Sequence, residues 1–582
     1  MANLRDALKA ALSASGSQES KPGIQKAADK SHDVHHGSKL QTPVLTVSDA
    51  EFLRLQKLGL RRVIPSSPIA DRRPQRTERP AVALANKAQS IPSRPHVEPK
   101  PLPEFQLLIA PNAKFLLRAT DDRSQVLLSG VDLKGRANQC FVGKALQQRE
   151  VALGLDFGTS SVKVVIGDAA LDKAYVVPFL HGNDVSAYLL PTRVFETEGN
   201  FSLVRGLKEY RDLKLSFVAD PDSIEFQVRI VAFLAQVITR ARGWFFLTHA
   251  ALYRSTEIFW KISVGLPAAS SFASAVTTPL EKLIHLAWHF SAIPDKLNRS
   301  EIMAALSGFS SVNVESAGVE VAVVPEIAAQ IYGFVVSNSF DKMAANNYLM
   351  VDVGAGTVDS SLFHVKPGRG GKWDFDFYTT VVEPLGVVNL HRNRVNWWCE
   401  QFEKVNADGA LTKDLLDTKF QTDSKHPEPE DYREYFDGIQ VKLREGVESP
   451  DKKFFDYQVV TQVRGKTLWR AWKADLLPKQ AIQSIPFFLC GGGSRMQYYL
   501  ALEKELLPQT GFSWLQAEAW TLGVPGDLVA DGLAEEDFDR VSVAYGLSKL
   551  EVGQVLRAAP MPKVEVQPVD TWRNNYVDKD QC

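Results

Sequence analysis

Gly154-Leu155-Asp156-Phe157-Gly158-Thr159-Ser160-Ser161 links two β-rich runs, Val151–Leu155 and Val162–Ile166. The pattern predicts a hairpin whose first strand ends on an acid and whose turn is built from Gly and hydroxyl residues. Backbone N–H groups exposed in such a turn can cradle phosphate oxygens. A carboxylate beside them repels phosphate, so its sensible task is to hold Mg²⁺, usually through water. Taken alone, the same string also fits an ordinary Gly-turn hairpin.

A second copy of this logic is Asp352-Val353-Gly354-Ala355-Gly356-Thr357-Val358-Asp359, between the runs Tyr348–Val353 and Ser360–Val365. Two facing copies can clamp a polyphosphate, with a metal between Asp156 and Asp352 and a water oriented by Asp359. A third loop, Gly491-Gly492-Gly493-Ser494-Arg495, follows the apolar run Ile485–Cys490. Its glycines allow close approach of a flat base and ribose, and Arg495 can stack its guanidinium plane on the base. Each loop alone is a weak signal; three in this order carry the argument. Around them, strand patterns (Phe105–Ile109, Phe115–Leu117, Phe259–Gly265, Val319–Val324) alternate with helical ones (Ile224–Arg242, Thr278–Phe290, Ile327–Val336). That alternation predicts an α/β architecture, and the recurring strand–turn–strand element predicts two similar lobes.

With these residues in view, the chain resembles the actin / hexokinase / heat-shock-chaperone ATPases over about residues 150–553, and most closely the nucleotide-binding domain of DnaK-type chaperones. GLDFGTSS resembles the first phosphate loop of that family, VDVGAGTVD the second and LCGGGSR the adenosine loop. Glu326 in VVPEIAAQIYGF stands where the family has its first connecting helix. Lys214 in RDLKLSF stands where it places a phosphate-contacting lysine, and VSVAYGLS around Tyr545 is similar to its last helix. The resemblance implies a two-lobed fold of duplicated ribonuclease-H-like halves with ATP or ADP and Mg²⁺ between them. It implies that Gly158, Thr159, Ser160, Gly354, Ala355, Gly356 and Thr357 hold phosphates, and that Gly491, Gly492, Gly493, Ser494 and Arg495 hold the adenosine. Asp156 and Asp352 would bind hydrated Mg²⁺, while Lys214, Glu326, Asp359 and Thr357 would assist the water's attack. Such chemistry is phosphoryl transfer by positioning and electrostatics.

The chain departs from the family in three places. Pro325-Glu326 stands where Glu-Pro is usual. Leu385-Gly386-Val387-Val388-Asn389 has one glycine and no acid where the family has Gly-Gly-acid. About 30 residues follow Leu550, fewer than a peptide-binding domain needs. The expected function is therefore a chaperone-like ATP-binding and ATP-hydrolysing switch that signals to a protein partner. An actin-like filament former, a nucleotide-binding pseudoenzyme and a small-molecule kinase stay open beside it.

The expected organisation is an arm (1–104), a β-rich lead-in (105–150), lobe I (151–345), lobe II (346–553) with a variable part (366–481), and a polar tail (554–582). The arm carries 11 of the 31 prolines, and residues 1–100 hold 17 Lys/Arg against 9 Asp/Glu. That composition predicts a largely disordered segment suited to protein-partner binding, with short helices near Leu4–Leu12 and after the capping box Ser48–Glu51. The three arm histidines His32, His35 and His36 are read as solvated. Trp397, Trp398, Trp469 and Trp472 are read as core residues. The whole chain of 582 residues has a formal net charge of -1, which disfavours a generic nucleic-acid or membrane binder. Its four cysteines show no CxxC spacing, so no disulfide framework is expected. With no run of about 18 apolar residues and no apolar leader, a cytoplasmic protein is the expectation.

Overall fold

The computed structural model describes residues 105–117 and 147–558, apart from 272, 294–296, 310–317, 338, 406, 408, 420–427, 508–513, 515 and 550. The expected arm with its helices and histidines, residues 118–146 of the lead-in, and residues 559–582 of the tail lie outside the described residues.

The strands are β1 (Phe105–Phe115), β2 (Gln147–Phe157), β3 (Ser161–Asp168) and β4 (Lys173–Val176). Helices α1 (Leu213–Ala219) and α2 (Ile224–Thr248) precede β5 (Thr256–Leu266), and α3 (Ser274–Ala292) precedes β6 (Val319–Pro325). Two short helices, α4 (Glu326–Gln330) and α5 (Tyr332–Val335), lead to β7 (Asn347–Val353), β8 (Val358–Pro367) and β9 (Trp373–Glu383). Then come α6 (Val387–Val405), β10 (Phe436–Leu443), β11 (Ile485–Cys490), β12 (Ala517–Trp520) and β13 (Leu528–Val529). Helix α7 (Ser542–Lys549) and β14 (Val552–Arg557) close the described chain.

The fold is mixed α/β, with two large mixed sheets of matching topology. The first sheet runs β6-β5-β2-β3-β4-β13 and the second β12-β11-β7-β8-β9-β14. In each, the first three strands in sequence form an antiparallel meander, and two later strands add in parallel beside the first. Parallel neighbours need long crossovers, and α2 and α3 provide them in the first sheet. Even the sixth strands correspond: β13 pairs in parallel with β4, and β14 with β9. Both come from the C-terminal stretch, so the segment around α7 contributes to each sheet.

The interior of the first sheet reads Val-Val-Ile at 164–166, β-branched residues that suit a covered strand. These side chains are fully buried, and Val164 and Ile166 share a core with α2 and α3. Helix α2 is long and apolar enough to cross a membrane by length and composition, but 83% of its apolar window is buried in this core. Helix α3 begins four residues before the expected Thr278 and carries Pro279 inside it, with buried Val276 anchoring the extra turn. Between the sheets, Ile327 and Phe334 share a core with Tyr348, Phe488, Val543 and Leu547.

The expected lead-in behaves differently from its sequence position. Phe105–Ile109 and Phe115 belong to one strand, β1, with Leu116 and Leu117 just past its end; β1 pairs antiparallel with β10 inside the variable region rather than with the chain that follows it. The register shifts between Ile109 and Lys114, around Pro111, which has no N–H to give to a ladder. Phe115 packs on Tyr435 and Phe436, and Trp398 on Phe436. Trp398 is core, as expected. Trp469 is not: it is 39% exposed, beside Trp472, which is partly buried against the core around Leu468 and Ala471. The rings of Trp472 and Trp514 also flank the Lys479 ammonium at 5.0 and 5.1 Å, a cation–π contact at the edge of this core.

Candidate functional site

The three glycine loops meet at the ends of adjacent strands. The first joins β2 to β3, braced by Thr192, whose hydroxyl donates to the Gly158 carbonyl at 2.8 Å and whose N–H donates to Ser160 at 2.9 Å. The second joins β7 to β8 and is closed by Gly354 N–H donating to the Thr357 carbonyl at 2.9 Å. These two loops touch: a Cβ placed on Gly356 would lie 3.2 Å from the Thr159 methyl and 3.0 Å from Leu215 on α1. Thr159, Ser160, Ala355 and Thr357 are each partly exposed there.

Gly386 explains the glycine that survives after β9. A Cβ there would overlap the Gly354 carbonyl oxygen and approach the Ala355 carbonyl and the Thr357 N–H to 2.7 Å. The first N–H groups of α6 then serve the second loop. Val387 donates to Gly354 at 3.2 Å and Val388 to Ala355 at 2.8 Å, while the Asn389 side-chain amide donates to Gly356 at 2.5 Å. Helix-start donors without intrahelical partners are thereby satisfied.

The third loop follows β11 as a 3₁₀ turn over Gly492–Arg495. Gly491 has φ +85°, and a Cβ on it would overlap Asp352 Oδ1. Only glycine tolerates both conditions. The Ser494 hydroxyl donates to the Gly491 carbonyl at 2.7 Å. Arg495 is held by its edge, at 2.8 Å to Asp537, 2.5 Å to Asp539 and 2.7 Å to the Glu536 carbonyl.

Four acids line the space between the sheets. Asp156 ends β2 and ion-pairs with Lys163 at 2.9 Å. Asp352 ends β7 and accepts from Gln330 Nε2 at 2.9 Å. Asp359 begins β8; its Oδ2 accepts from the Ala268 N–H and its Oδ1 from the Ser361 hydroxyl, both at 3.3 Å. Glu326 opens α4 and pairs with buried Lys214 of α1. Gly265 makes room for it, since a Cβ there would lie 2.7 Å from Glu326 Cγ.

This crowding shifts the acids. Burial, reinforced by Glu326 and Asp156, pushes Asp352 up to about 6. Burial together with Glu326 and Asp352 pushes Asp359 up to about 8. Glu326 is raised as well, chiefly by burial, against the pull of Lys214. Buried like charges at this density call for a cation or for protons. The donor set suits a hard cation: it is all oxygen, and the buried Gln330 Oε1 has no hydrogen-bond partner. Among the described residues no three acid, His or Cys side chains are gathered as a direct cage.

The candidate site residues therefore fall in the three loops or among the four acids, except Lys214, which reaches the acids from α1 through its pair with Glu326. Four neighbours were not singled out: Lys163, Gln330, Asn389 and Arg540. Two had a signal. Lys163 follows Asp156 by the same interval at which Asp359 follows Asp352, and Gln330 lies one helical turn after Glu326. No family model matches the chain, and no curated protein matches it.

Proposed function

We propose that the chain is an ATP-binding and ATP-hydrolysing switch protein with a two-lobed, actin-like fold, similar to the nucleotide-binding domain of DnaK-type chaperones. The observation that carries this reading is the duplication. Two sheets of one strand order present their first hairpin turns to each other at Thr159 and Gly356, with Asp156 and Asp352 at matching strand ends. Backbone N–H groups of two such turns are natural ligands for a polyphosphate. ATP and ADP are the proposed ligands, with the adenosine on the Gly491–Arg495 loop. The guanidinium face of Arg495 is the part its three edge contacts leave for a base.

Asp156 and Asp352 would hold hydrated Mg²⁺, which neutralises phosphate charge when bound. Lys214 places its ammonium in the same cleft, fixed by Glu326. Asp359 orients the attacking water and takes its proton once ionised, while Thr357 lies in the loop at its side. Helices α4, α5 and α7 pack between the lobes and would convert nucleotide state into a change of lobe angle. The proposed receiver is a protein partner engaged through the N-terminal arm, in the cytoplasm.

A second reading, nucleotide binding without turnover, is favoured by the Lys163–Asp156 pair, which sets a cation of the chain's own at a carboxylate meant for metal. Steady-state phosphate release from Mg-ATP, compared with Asp359→Ala, decides between them. The switch reading expects turnover that falls at least about a hundredfold in the variant, the range for loss of a general base. ADP and ATP binding without release would establish the second reading, and absence of nucleotide binding would overturn both.

A further inference from the structure

Arg540 closes the 3₁₀ turn Glu535–Arg540 that leads into α7. The neighbouring acids Asp537 and Asp539 are committed to Arg495. The Arg540 side chain makes no hydrogen bond or ion pair among the described residues. Its guanidinium lies over the third glycine loop. A Cβ on Gly492 would be 2.8 Å from Cζ, 2.9 Å from Nη2 and 3.1 Å from Nε. Nearly equal distances to three atoms of one planar group put the face of that group, not its edge, on Gly492. The edge N–H groups are therefore spared.

Arg540 is half-buried. Burial lowers the Arg540 pKa, opposed by Asp539, Asp537 and, from β7, Asp352. Arg540 thus stands at the join between the glycine-rich loop and the acid cleft. A guanidinium with free edge donors matches the paired oxygens of a phosphate, and one fixed by its face loses little freedom on binding.

We propose that Arg540 binds an anionic phosphate of the ligand, the one nearest the ribose, where the third loop meets the two hairpin turns. This rests on the three loops being a nucleotide site. It assigns a residue that lies in none of them.

The test measures binding of ADP, inorganic pyrophosphate and adenosine by titration calorimetry to the full chain, to Arg540→Ala and to Gly492→Ala. Gly492→Ala keeps the arginine and displaces only its guanidinium, the far end of a flexible side chain. Circular dichroism and thermal melts check that both variants fold. The expected result is a loss of about tenfold to a hundredfold for ADP and pyrophosphate in both, with adenosine unchanged in Arg540→Ala. ADP binding retained in both variants overturns the assignment and leaves the nucleotide reading intact. An equal loss for adenosine in Arg540→Ala overturns it too, because Arg540 then serves the base or the packing. Pyrophosphate bound by the full chain and lost in both variants, with no gain from adenosine, supports Arg540 and refutes the adenosine loop. A full chain that binds none of the three overturns both readings.

Discussion

Lys163 stands directly opposite Asp156 in the first hairpin, its ammonium 2.9 Å from the carboxylate. In the second hairpin the same two register positions hold Asp352 and Asp359. One duplicated element thus carries a neutralised pair in one copy and two acids in the other. Directly opposed like charges are unfavourable, and Asp352 is one source of the raised Asp359 value. The asymmetry separates an already compensated side from one that needs an outside cation.

Removal of the lysine charge tests that division. Lys163→Met frees Asp156 and adds a negative charge to the cleft. Mg²⁺ affinity, measured by calorimetry at fixed ADP, is expected to tighten roughly tenfold, equivalent to about 1.4 kcal/mol. Unchanged or weaker Mg²⁺ binding would mean that the ion does not contact the Asp156 side.

Asp359 gives a pH dependence of known sign. Its carboxyl moves from an ordinary value of 3.8 to about 8 in the folded, ligand-free protein. A group raised on folding contributes stability that is complete below its unfolded value and is lost as pH rises to the folded one. The loss from Asp359 runs from about pH 4 to about pH 8, with Asp352 adding to it up to about 6. Each such group removes up to about 1.4 kcal/mol per pH unit. Asp359→Asn removes this dependence, so its stability advantage over the natural chain in urea is expected to widen from pH 5 to pH 8. A constant gap across that range would show that Asp359 stays ionised.

Lys214 and Glu326 form a buried pair bridging α1 and α4. Breaking one half of such a pair costs about 3–5 kcal/mol, because the other charge is left uncompensated. Glu326 already tends toward its neutral form, so it will take up a proton where pH allows. Lys214→Met is therefore expected to destabilise more at pH 8 than at pH 5. Lys214→Met with Glu326→Gln should recover most of the loss at pH 8. If the double variant is no better than the single one, packing of the lysine stem carries the effect.

The hairpin turns were legible because their information is local. An acid at a strand end and glycines at fixed offsets specify a turn without reference to the rest of the chain. Lys214 and Glu326 were placed by resemblance to a family, and their pairing is a tertiary fact. The partner of β1 was not legible, since β1 and β10 are more than 300 residues apart and neither pattern names the other. Strands β13 and β14 were missed for a related reason. Leu528–Val529 is too short for any periodicity, and β14 extends a sheet begun far earlier. Arg540 has no motif: an unpaired guanidinium is visible only once Asp537 and Asp539 are seen to be taken by Arg495.

Gly546 decides how closely the C-terminal helix approaches the element between the sheets. A Cβ there would overlap the carbonyl oxygen of Ala329 and come within 2.6 Å of its carbonyl carbon, so the obstacle is backbone. The opposite side of α7 is equally tight. A Cβ on Gly154 would overlap the Ala544 carbonyl, and one on Gly167 the Ser548 carbonyl. Helix α7 is thus wedged between β2, β3 and α4 and cannot yield to either side. Gly546→Ala gains about 1 kcal/mol of helix propensity. Overpacking against rigid backbone costs about 1–3 kcal/mol, and here both flanks are closed. The cost is expected to win, lowering the urea midpoint, and ADP affinity should fall with it because Gln330, next to Ala329 on α4, holds Asp352. Gly523→Ala is the control: nothing lies within 4 Å of its Cβ, so its midpoint should not move. A Gly546→Ala chain as stable as the natural one would mean that α7 can slide, and that its fit on α4 sets neither stability nor the angle between the two sheets.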